Sequence, residues 1–120
     1  MTTLTRADWE QRAQQLKIEG RAFINGEYTA AISNATFECN SPVDGRFLAH
    51  IASCDEADAQ RAVENARATF NSGVWSRLAP AKRKATLIRF AGLLKQNVEE
   101  LALLETLDMG KPCLLYTSDA

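Results

Sequence analysis

Apolar residues recur at helical spacing in several long stretches of the chain, and shorter stretches between them have the character of strands and turns. The first helical stretch opens with Thr5 and Asp8, whose spacing is typical of a capping box. Gly20 predicts the end of this first helix. Its apolar stripe consists of Trp9, Ala13 and Leu16.

Two hairpins follow in the pattern. Asn25 and Gly26 tolerate the positive φ angles of a two-residue turn, so residues 22–28 are predicted to form a strand, a turn and a second strand. Residues 36–40 and 47–52 are the next two predicted strands. The proline and glycine between them, within residues 41–45, predict a turn that pairs these strands antiparallel.

The next helix is predicted to begin with a capping box in which Ser53 and Glu56 are the two partners. Asp58 is assigned to its polar face, and Gly73 ends the helix. Trp75 is predicted to bury its ring in the loop that follows. The alanine-rich apolar stripe consists of Ala59, Ala62, Val63, Ala66 and Phe70.

Pro80 is well placed as the first residue of a third long helix, because a proline lacks the N–H that would be unpaired there. Asn97 with Glu100 has the spacing of a fresh cap, so the helix is expected to break and restart. Gly110 and Pro112 predict its end. The apolar stripe consists of Leu87, Ala91, Leu94, Val98 and Leu101.

These elements predict an α+β chain of short antiparallel hairpins and about four amphipathic helices. Two small antiparallel pairs do not form a sheet that could cover the apolar stripes of the long helices. We therefore expect the chain to be part of a larger domain.

Composition and charge argue against some classes of function. The 120 residues are 46% hydrophobic and 24% charged, with a formal net charge of -1, which is ordinary for a globular protein. This balance argues against nucleic acid as a partner, because there is no excess of cations to neutralise phosphates. No apolar run is long enough to span a membrane, and the polar N-terminal residues do not resemble a secretory signal. A cytoplasmic location is the expectation.

Few residues of the chain have the type and spacing needed to bind a metal or to catalyse a reaction. Three cysteines and one histidine are scattered along the chain, and Cys39, His50 and Cys54 are the only candidates for a zinc site. They lack closely spaced ligand pairs, so ordinary reduced thiols and a structural histidine are favoured over zinc. The chain contains neither a phosphate-binding glycine loop nor a nucleophile elbow. Spacing alone indicates no catalytic residue.

A colinear set of short motifs resembles the N-terminal part of the NAD(P)-dependent aldehyde dehydrogenase family. It runs from Arg21 to Pro112, and its most specific member is the sequence E-T-L-D-M-G-K-P at residues 105–112. Within the family, the sequences F-I-N-G-E-Y-T-A-A and P-A-K-R-K-A are most similar to bacterial γ-glutamyl-γ-aminobutyraldehyde dehydrogenases of putrescine breakdown. The other matching segments are residues 36–38, Pro42, Gly45, residues 58–70, Trp75, residues 80–83 and Leu87.

The resemblance implies an α/β parent enzyme with a Rossmann-type cofactor domain, of which residues 1–112 would be the N-terminal portion. Such an enzyme oxidises an aldehyde to a carboxylic acid with NAD or NADP, using a cysteine thiolate and a glutamate base. The family cysteine follows a Gly-Gln-x pattern, which this chain lacks. No residue of the chain is therefore assigned a catalytic or cofactor-binding role, and the chain alone is expected to be inactive. The resemblance also implies that the parent enzyme assembles as a homodimer or homotetramer.

The resemblance also implies one binding site. Many members hold a structural monovalent cation, K⁺ or Na⁺, through backbone carbonyls before the proline turn and through the aspartate of E-T-L-D. The matching positions are Cys39, Asn40 and Asp108. The alternative role for Asp108 is a helix C-terminal carboxylate paired with a neighbouring cationic side chain.

Residues 113–120 do not match the family pattern, and they are interpreted as a sequence-end artefact. The alternative to an enzyme fragment is a genuine short, non-catalytic protein that binds a partner through its apolar helix faces. The two hypotheses differ in what they expect of the tail. The C-terminus of a genuine short protein would cover the apolar helix faces, whereas an artefactual tail would leave apolar residues exposed.

Overall fold

The computed structural model describes residues 4–111, in which hairpins and helices follow the predicted order. The tail at residues 113–120 lies outside this range. The elements are α1 (Arg6–Gln15), β1 (Ala22–Ile24), β2 (Glu27–Thr29), β3 (Thr36–Asn40), β4 (Phe47–Ala52), α2 (Glu56–Ser72), α3 (Pro80–Gln96) and α4 (Val98–Met109). The predicted α+β inventory of two antiparallel hairpins and four helices is confirmed.

Both hairpins form where the turn residues predict them. Strands β1 and β2 pair antiparallel, with Phe23 opposite Tyr28, and their rings meet edge to face at 5.1 Å. Asn25 and Gly26 have φ angles of 58° and 78°, as a two-residue turn of this kind requires. Strands β3 and β4 form a second two-stranded sheet. Its turn is closed by the N–H of Ser41, which donates to the Arg46 carbonyl at 2.8 Å.

Helix α1 begins as predicted and ends earlier than predicted. Both halves of the Thr5–Asp8 capping box are present, and hydrogen bonds from Thr5 lower the pKa of the Asp8 carboxyl. The helix stops at Gln15 because Leu16 adopts an extended conformation. Gly20 therefore does not terminate the helix. It permits a close approach, since a Cβ on Gly20 would lie 2.0 Å from the His50 carbonyl oxygen.

The predicted cap of α2 was wrong by two residues. The N-cap is Asp55, whose carboxylate accepts hydrogen bonds from the backbone N–H groups of Ala57 and Asp58. In the reciprocal bond, the Asp55 backbone N–H donates to Asp58 Oδ2 at 3.2 Å, so the box is Asp55–Asp58 and not Ser53–Glu56. A carboxylate at both positions suits the positive end of the helix dipole. Gly73 ends the helix in the left-handed conformation, as predicted.

The break between α3 and α4 is confirmed. Pro80 lies in the first turn of α3, and Asn97 separates the two helices. The Asn97 backbone N–H donates to the Leu93 carbonyl at 3.1 Å, and its side-chain amide donates to the same carbonyl at 2.8 Å. Asn97 thus caps the end of α3, a role that the sequence did not predict. Gly110 closes α4 with a φ of 77°.

The described residues fall into two compact units. The first comprises residues 4–19, 38–49 and 98–111, and its buried apolar residues are Ala49, Ala102, Leu103 and Leu107. The second comprises residues 20–37 and 50–97, in which Ala31 and Asp58 are buried.

The apolar stripes predicted on α2 and α3 are exposed in the second unit. Phe70 is 60% exposed and Leu87 is 56% exposed. Trp75, which was predicted to bury its ring, is 41% exposed. No helix within residues 4–111 has the length and apolar character to cross a membrane.

Candidate functional site

The structure brings together Cys39 and Asp108, two of the three residues predicted to hold a cation. Cys39 lies near the end of β3, and Asp108 lies in the last turn of α4. The Cys39 thiol donates a hydrogen bond to Asp108 Oδ1 at 3.3 Å. Asn40, the third predicted residue, is the last residue of β3 and is exposed. The predicted site therefore joins a strand end and a helix end of the same unit.

The turn after β3 shapes this region. Ser41 is 2% exposed, and its carbonyl accepts a hydrogen bond from the Gly45 N–H at 2.8 Å. Its side-chain oxygen accepts another from the Val43 N–H at 3.3 Å. Arg46 pairs with Asp44 at 2.6 Å on the outside of the turn, and this guanidinium lowers the pKa of the Asp44 carboxyl. These bonds fix the backbone that follows Asn40.

The end of α4 lies against the same turn. A Cβ on Gly110 would lie 3.7 Å from the Pro42 side chain, which is ordinary van der Waals contact. The Thr106 hydroxyl donates to the Lys111 carbonyl at 2.5 Å, which ties the helix end to the residues that follow. Buried Leu107 anchors the preceding turn of the helix. These contacts hold the helix end that carries Asp108 close to the turn after β3.

The electrostatics at this position favour a positive charge. The C-terminal end of a helix carries a partial negative charge from its unpaired carbonyls, and a carboxylate there adds to it. The hydrogen bond to Asp108 raises the pKa of the Cys39 thiol, and partial desolvation acts in the same direction. The thiol is therefore protonated at neutral pH, and it acts as a hydrogen-bond donor. A protonated thiol is a poor nucleophile.

The oxygen donors at this strand and helix end suit a hard cation better than a soft transition metal. Carboxylate and carbonyl oxygens are the donors that such ions prefer. One turn before Asp108, Glu105 has a buried carboxylate oxygen, Oε2, that has no hydrogen-bond partner. Buried polar atoms without a partner are uncommon in proteins. Among residues 4–111, no group of three His, Cys, Asp or Glu side chains is arranged to bind a metal ion.

A second polar centre was not predicted from the sequence. Asp58, assigned to the polar face of α2, is 2% exposed. Its carboxylate accepts hydrogen bonds from the backbone N–H groups of Ile32 at 3.0 Å and Asp55 at 3.2 Å. Arg61 completes the centre with an ion pair to Asp58 at 3.2 Å. The signal was available, because two aspartates three residues apart before an apolar run also satisfy the capping-box pattern.

The Asp58 centre is structural. It joins the first turn of α2 to the loop between β2 and β3, and Arg61 extends the link by donating to the Ala30 carbonyl at 3.5 Å. Both carboxylate oxygens accept hydrogen bonds from groups of the same unit. The centre therefore offers no free carboxylate for acid–base chemistry.

Comparison with known proteins places the chain in a family. Residues 28–119 match the sequence model described as "Aldehyde dehydrogenase family". A crystal structure of the indole-3-acetaldehyde dehydrogenase of P. syringae, in complex with NAD+ and IAA, superposes with a TM-score of 0.94. The two sequences are 78% identical, and the match covers 98% of this chain and 24% of that chain.

Two further relatives are similar over nearly the same region. The NADP/NAD-dependent aldehyde dehydrogenase PuuC of Escherichia coli is 54% identical over 88% of this chain and 21% of its own. The γ-glutamyl-γ-aminobutyraldehyde dehydrogenase of Burkholderia cenocepacia is 52% identical in its crystal structure, with a TM-score of 0.94, and the match covers 97% of this chain and 24% of that chain. The chain spans about a fifth of the length of the curated relatives it matches.

Proposed function

The chain belongs to the aldehyde dehydrogenase family, and we propose that it is the N-terminal portion of an enzyme that oxidises an aldehyde to a carboxylic acid with NAD or NADP. The observation that carries this proposal is the family match over residues 28–119. The high similarity of its backbone to the P. syringae enzyme supports it further. Bound NAD(P) would supply the hydride acceptor, and residues 1–112 would supply part of the scaffold of its domain.

The cysteine and the glutamate that would carry out the oxidation are assigned to the longer parent enzyme and not to this chain. The Cys39 thiol is held protonated by Asp108, and Cys54 is an exposed residue ahead of α2. Neither follows the Gly-Gln-x pattern of the family nucleophile. Residues 1–112 are accordingly proposed as the first part of the cofactor-binding domain, without catalytic or cofactor-binding side chains of their own.

We propose an amino-aldehyde as the substrate. This proposal rests on the relative from B. cenocepacia, whose name specifies γ-glutamyl-γ-aminobutyraldehyde, and it would place the enzyme in putrescine degradation. Indole-3-acetaldehyde is a second candidate, favoured by the higher identity to the P. syringae enzyme, 78% against 52%. A cytoplasmic location and assembly as a dimer or tetramer are part of the same proposal.

We propose that Cys39, Asn40 and Asp108 hold a structural monovalent cation, K⁺ or Na⁺, through two backbone carbonyls and one carboxylate. The juxtaposition of Cys39 and Asp108 supports this role. The cation would neutralise the negative end of α4 and fix it to the end of β3. The proposed role of the cation is structural, because no contact with the substrate is assigned to this site.

The proposal is tested by following NADH formation at 340 nm with both aldehydes and both cofactors. The 120-residue chain is expected to show no turnover, whereas the product of the complete reading frame is expected to oxidise at least one of the two aldehydes. Comparison of kcat/KM for the two aldehydes decides between the substrate candidates. Turnover by the 120-residue chain itself, or no turnover by a folded full-length product, would overturn the proposal.

A further inference from the structure

The carboxylate of Asp108 has a single side-chain contact, and the residue that makes it is already assigned to the cation site through its backbone. Within residues 4–111, the Cys39 thiol is the only group that donates a hydrogen bond to the Asp108 side chain. It donates to Oδ1 at 3.3 Å. The second carboxylate oxygen, Oδ2, accepts no hydrogen bond from the described residues, so it is the oxygen left for a cation.

The place of Cys39 in β3 explains why its side chain reaches α4. Successive side chains of a strand point to opposite faces, so Cys39 and Asn40 lie on different faces of β3. Cys39 is half-buried and bonds to the end of α4, whereas Asn40 is exposed. At this strand end, the side chain at position 39 is therefore the one that can hold the carboxylate.

Asp108 has no other anchor for its side chain among the described residues. The side chain is exposed, and the terminal torsion of an aspartate is broad. The partial negative charge at the C-terminal end of α4 disfavours a carboxylate nearby. Within residues 4–111, no cationic side chain forms an ion pair with Asp108. The thiol therefore opposes both the torsional freedom and the repulsion.

The two backbone ligands of the proposed site need no such support. Cys39 and Asn40 belong to β3, and hydrogen bonds fix the turn that follows them. The Ser41 N–H donates to the Arg46 carbonyl at 2.8 Å, and the Gly45 N–H donates to the Ser41 carbonyl at 2.8 Å. The carboxylate is thus the one ligand of the three whose position depends on side-chain torsions.

We propose that Cys39 is a positioning residue for the cation site, whose thiol holds the Asp108 carboxylate at the end of β3 in the orientation that binds K⁺ or Na⁺. This inference rests on the cation site of the proposed function. A ligand that is fixed before the ion arrives loses less freedom on binding, so the affinity rises. The thiol itself is not a ligand, because a soft sulfur atom suits these hard ions poorly.

The apparent Kd for K⁺ tests the positioning role. It is obtained from the Tm of the 120-residue chain as KCl replaces choline chloride at constant ionic strength. Cys39→Ala removes the donor and is expected to raise this Kd about three- to tenfold. Cys39→Ser keeps a donor and should restore the wild-type Kd. Cys54→Ala is the matched control, because it removes an exposed thiol ahead of α2, and it should leave the Kd unchanged.

A thiol that only stabilises the fold would give a different result. It would lower the Tm by the same amount in KCl and in choline chloride, and the Kd would not move. Line broadening of the sodium nucleus in NMR, measured on the folded proteins well below the Tm, provides a second measurement that does not depend on unfolding. The broadening is expected to be weaker with Cys39→Ala than with Cys39→Ser. Cys39→Val is a second variant that fills the space of the thiol without a donor.

The outcomes separate the positioning role from the cation site. If Asp108→Asn abolishes the K⁺ effect while Cys39→Ala and Cys39→Val bind K⁺ as tightly as the wild type, the positioning role is overturned and the site stands. If the Tm and the sodium line width of the wild-type chain show no dependence on binding at Asp108, the site and the positioning role both fall. Neither result bears on aldehyde oxidation, which is tested separately by NADH formation.

Discussion

The Cys39 thiol donates a hydrogen bond to Asp108 Oδ1 at 3.3 Å, although 69 residues separate the two along the chain. This bond joins the end of β3 to the last turn of α4 within one compact unit. It also brings together the side chains of two of the three residues proposed to hold a cation. The same contact links two distant parts of the sequence within the unit and is the basis of two of the predictions below.

The stability of the chain is expected to fall at alkaline pH because of this contact. Asp108 raises the pKa of the Cys39 thiol above its ordinary value of 9.0. The folded state therefore binds this proton more tightly than the unfolded state does. The stabilisation is complete below the ordinary value and is lost as the pH rises through the folded pKa.

Urea unfolding of the chain and of Cys39→Ser, across about pH 8 to 11, measures this effect. Serine keeps a hydrogen-bond donor but does not ionise in this range. The difference between the two unfolding free energies is expected to shrink or change sign as the pH rises. Parallel curves for the two proteins over the whole range would contradict a raised thiol pKa.

Monovalent cations are expected to stabilise the chain through Asp108. Replacing choline chloride by KCl or NaCl at equal ionic strength should raise the Tm, because a cation that binds only the folded state shifts the equilibrium towards it. Asp108→Asn should abolish the rise. Glu100→Gln, in the first turn of α4, removes a charge elsewhere on the helix and should preserve the rise. A salt effect that Asp108→Asn leaves intact would exclude this cation site.

Gly20→Ala is expected to destabilise the chain by about 1–3 kcal/mol, because the new Cβ would overlap a rigid backbone group. The overlapping atom is the His50 carbonyl oxygen, 2.0 Å from the Cβ position. Gly92→Ala is the matched control, since no atom other than those of its chain neighbours and the adjacent helix backbone lies within 4 Å of its Cβ position in α3. It should stabilise by about 0.5–1 kcal/mol through helix propensity. Urea midpoints of the two variants that move in the same direction would contradict the close approach at Gly20.

Asp58→Ala is expected to lower the free energy of unfolding by about 2–3 kcal/mol, because it leaves the Ile32 and Asp55 N–H groups and Arg61 without their acceptor. Asp58→Asn retains an acceptor oxygen and should fall between this variant and the wild type. Glu56→Ala, exposed in the same helical turn, should change stability by less than about 0.5 kcal/mol. Urea unfolding followed by circular dichroism measures all three. Equal losses at positions 56 and 58 would show that burial of Asp58 contributes nothing.

Local signals in the sequence predicted most of the secondary structure. The Asn25–Gly26 turn, Pro80 at the start of α3, and Gly73 and Gly110 at helix ends are all decided by the backbone preferences of single residues. The exception among these glycines is Gly20, which is required by a strand 30 residues away. Sequence spacing holds no information about that approach, so Gly20 was mistaken for a helix end.

The environment of individual side chains was harder to predict. Asp58 is a residue type that usually lies on the polar face of a helix. Only the fold brings the Ile32 N–H and Arg61 to it. The closeness of Cys39 and Asp108 was accessible through the family resemblance, whereas helical and strand periodicity could not bring the two together. The stripes of α2 and α3 were correctly interpreted as apolar, yet nothing within residues 4–111 buries them.

The most direct measurement is the genomic DNA sequence beyond the codon for Pro112. If the chain is the N-terminal portion of an aldehyde dehydrogenase, the reading frame continues into a polypeptide several times longer, with a cysteine after Gly-Gln-x and a glutamate base. A stop codon directly after Ala120 in the genome would contradict this, and it would favour a short non-catalytic protein that binds a partner through α2 and α3.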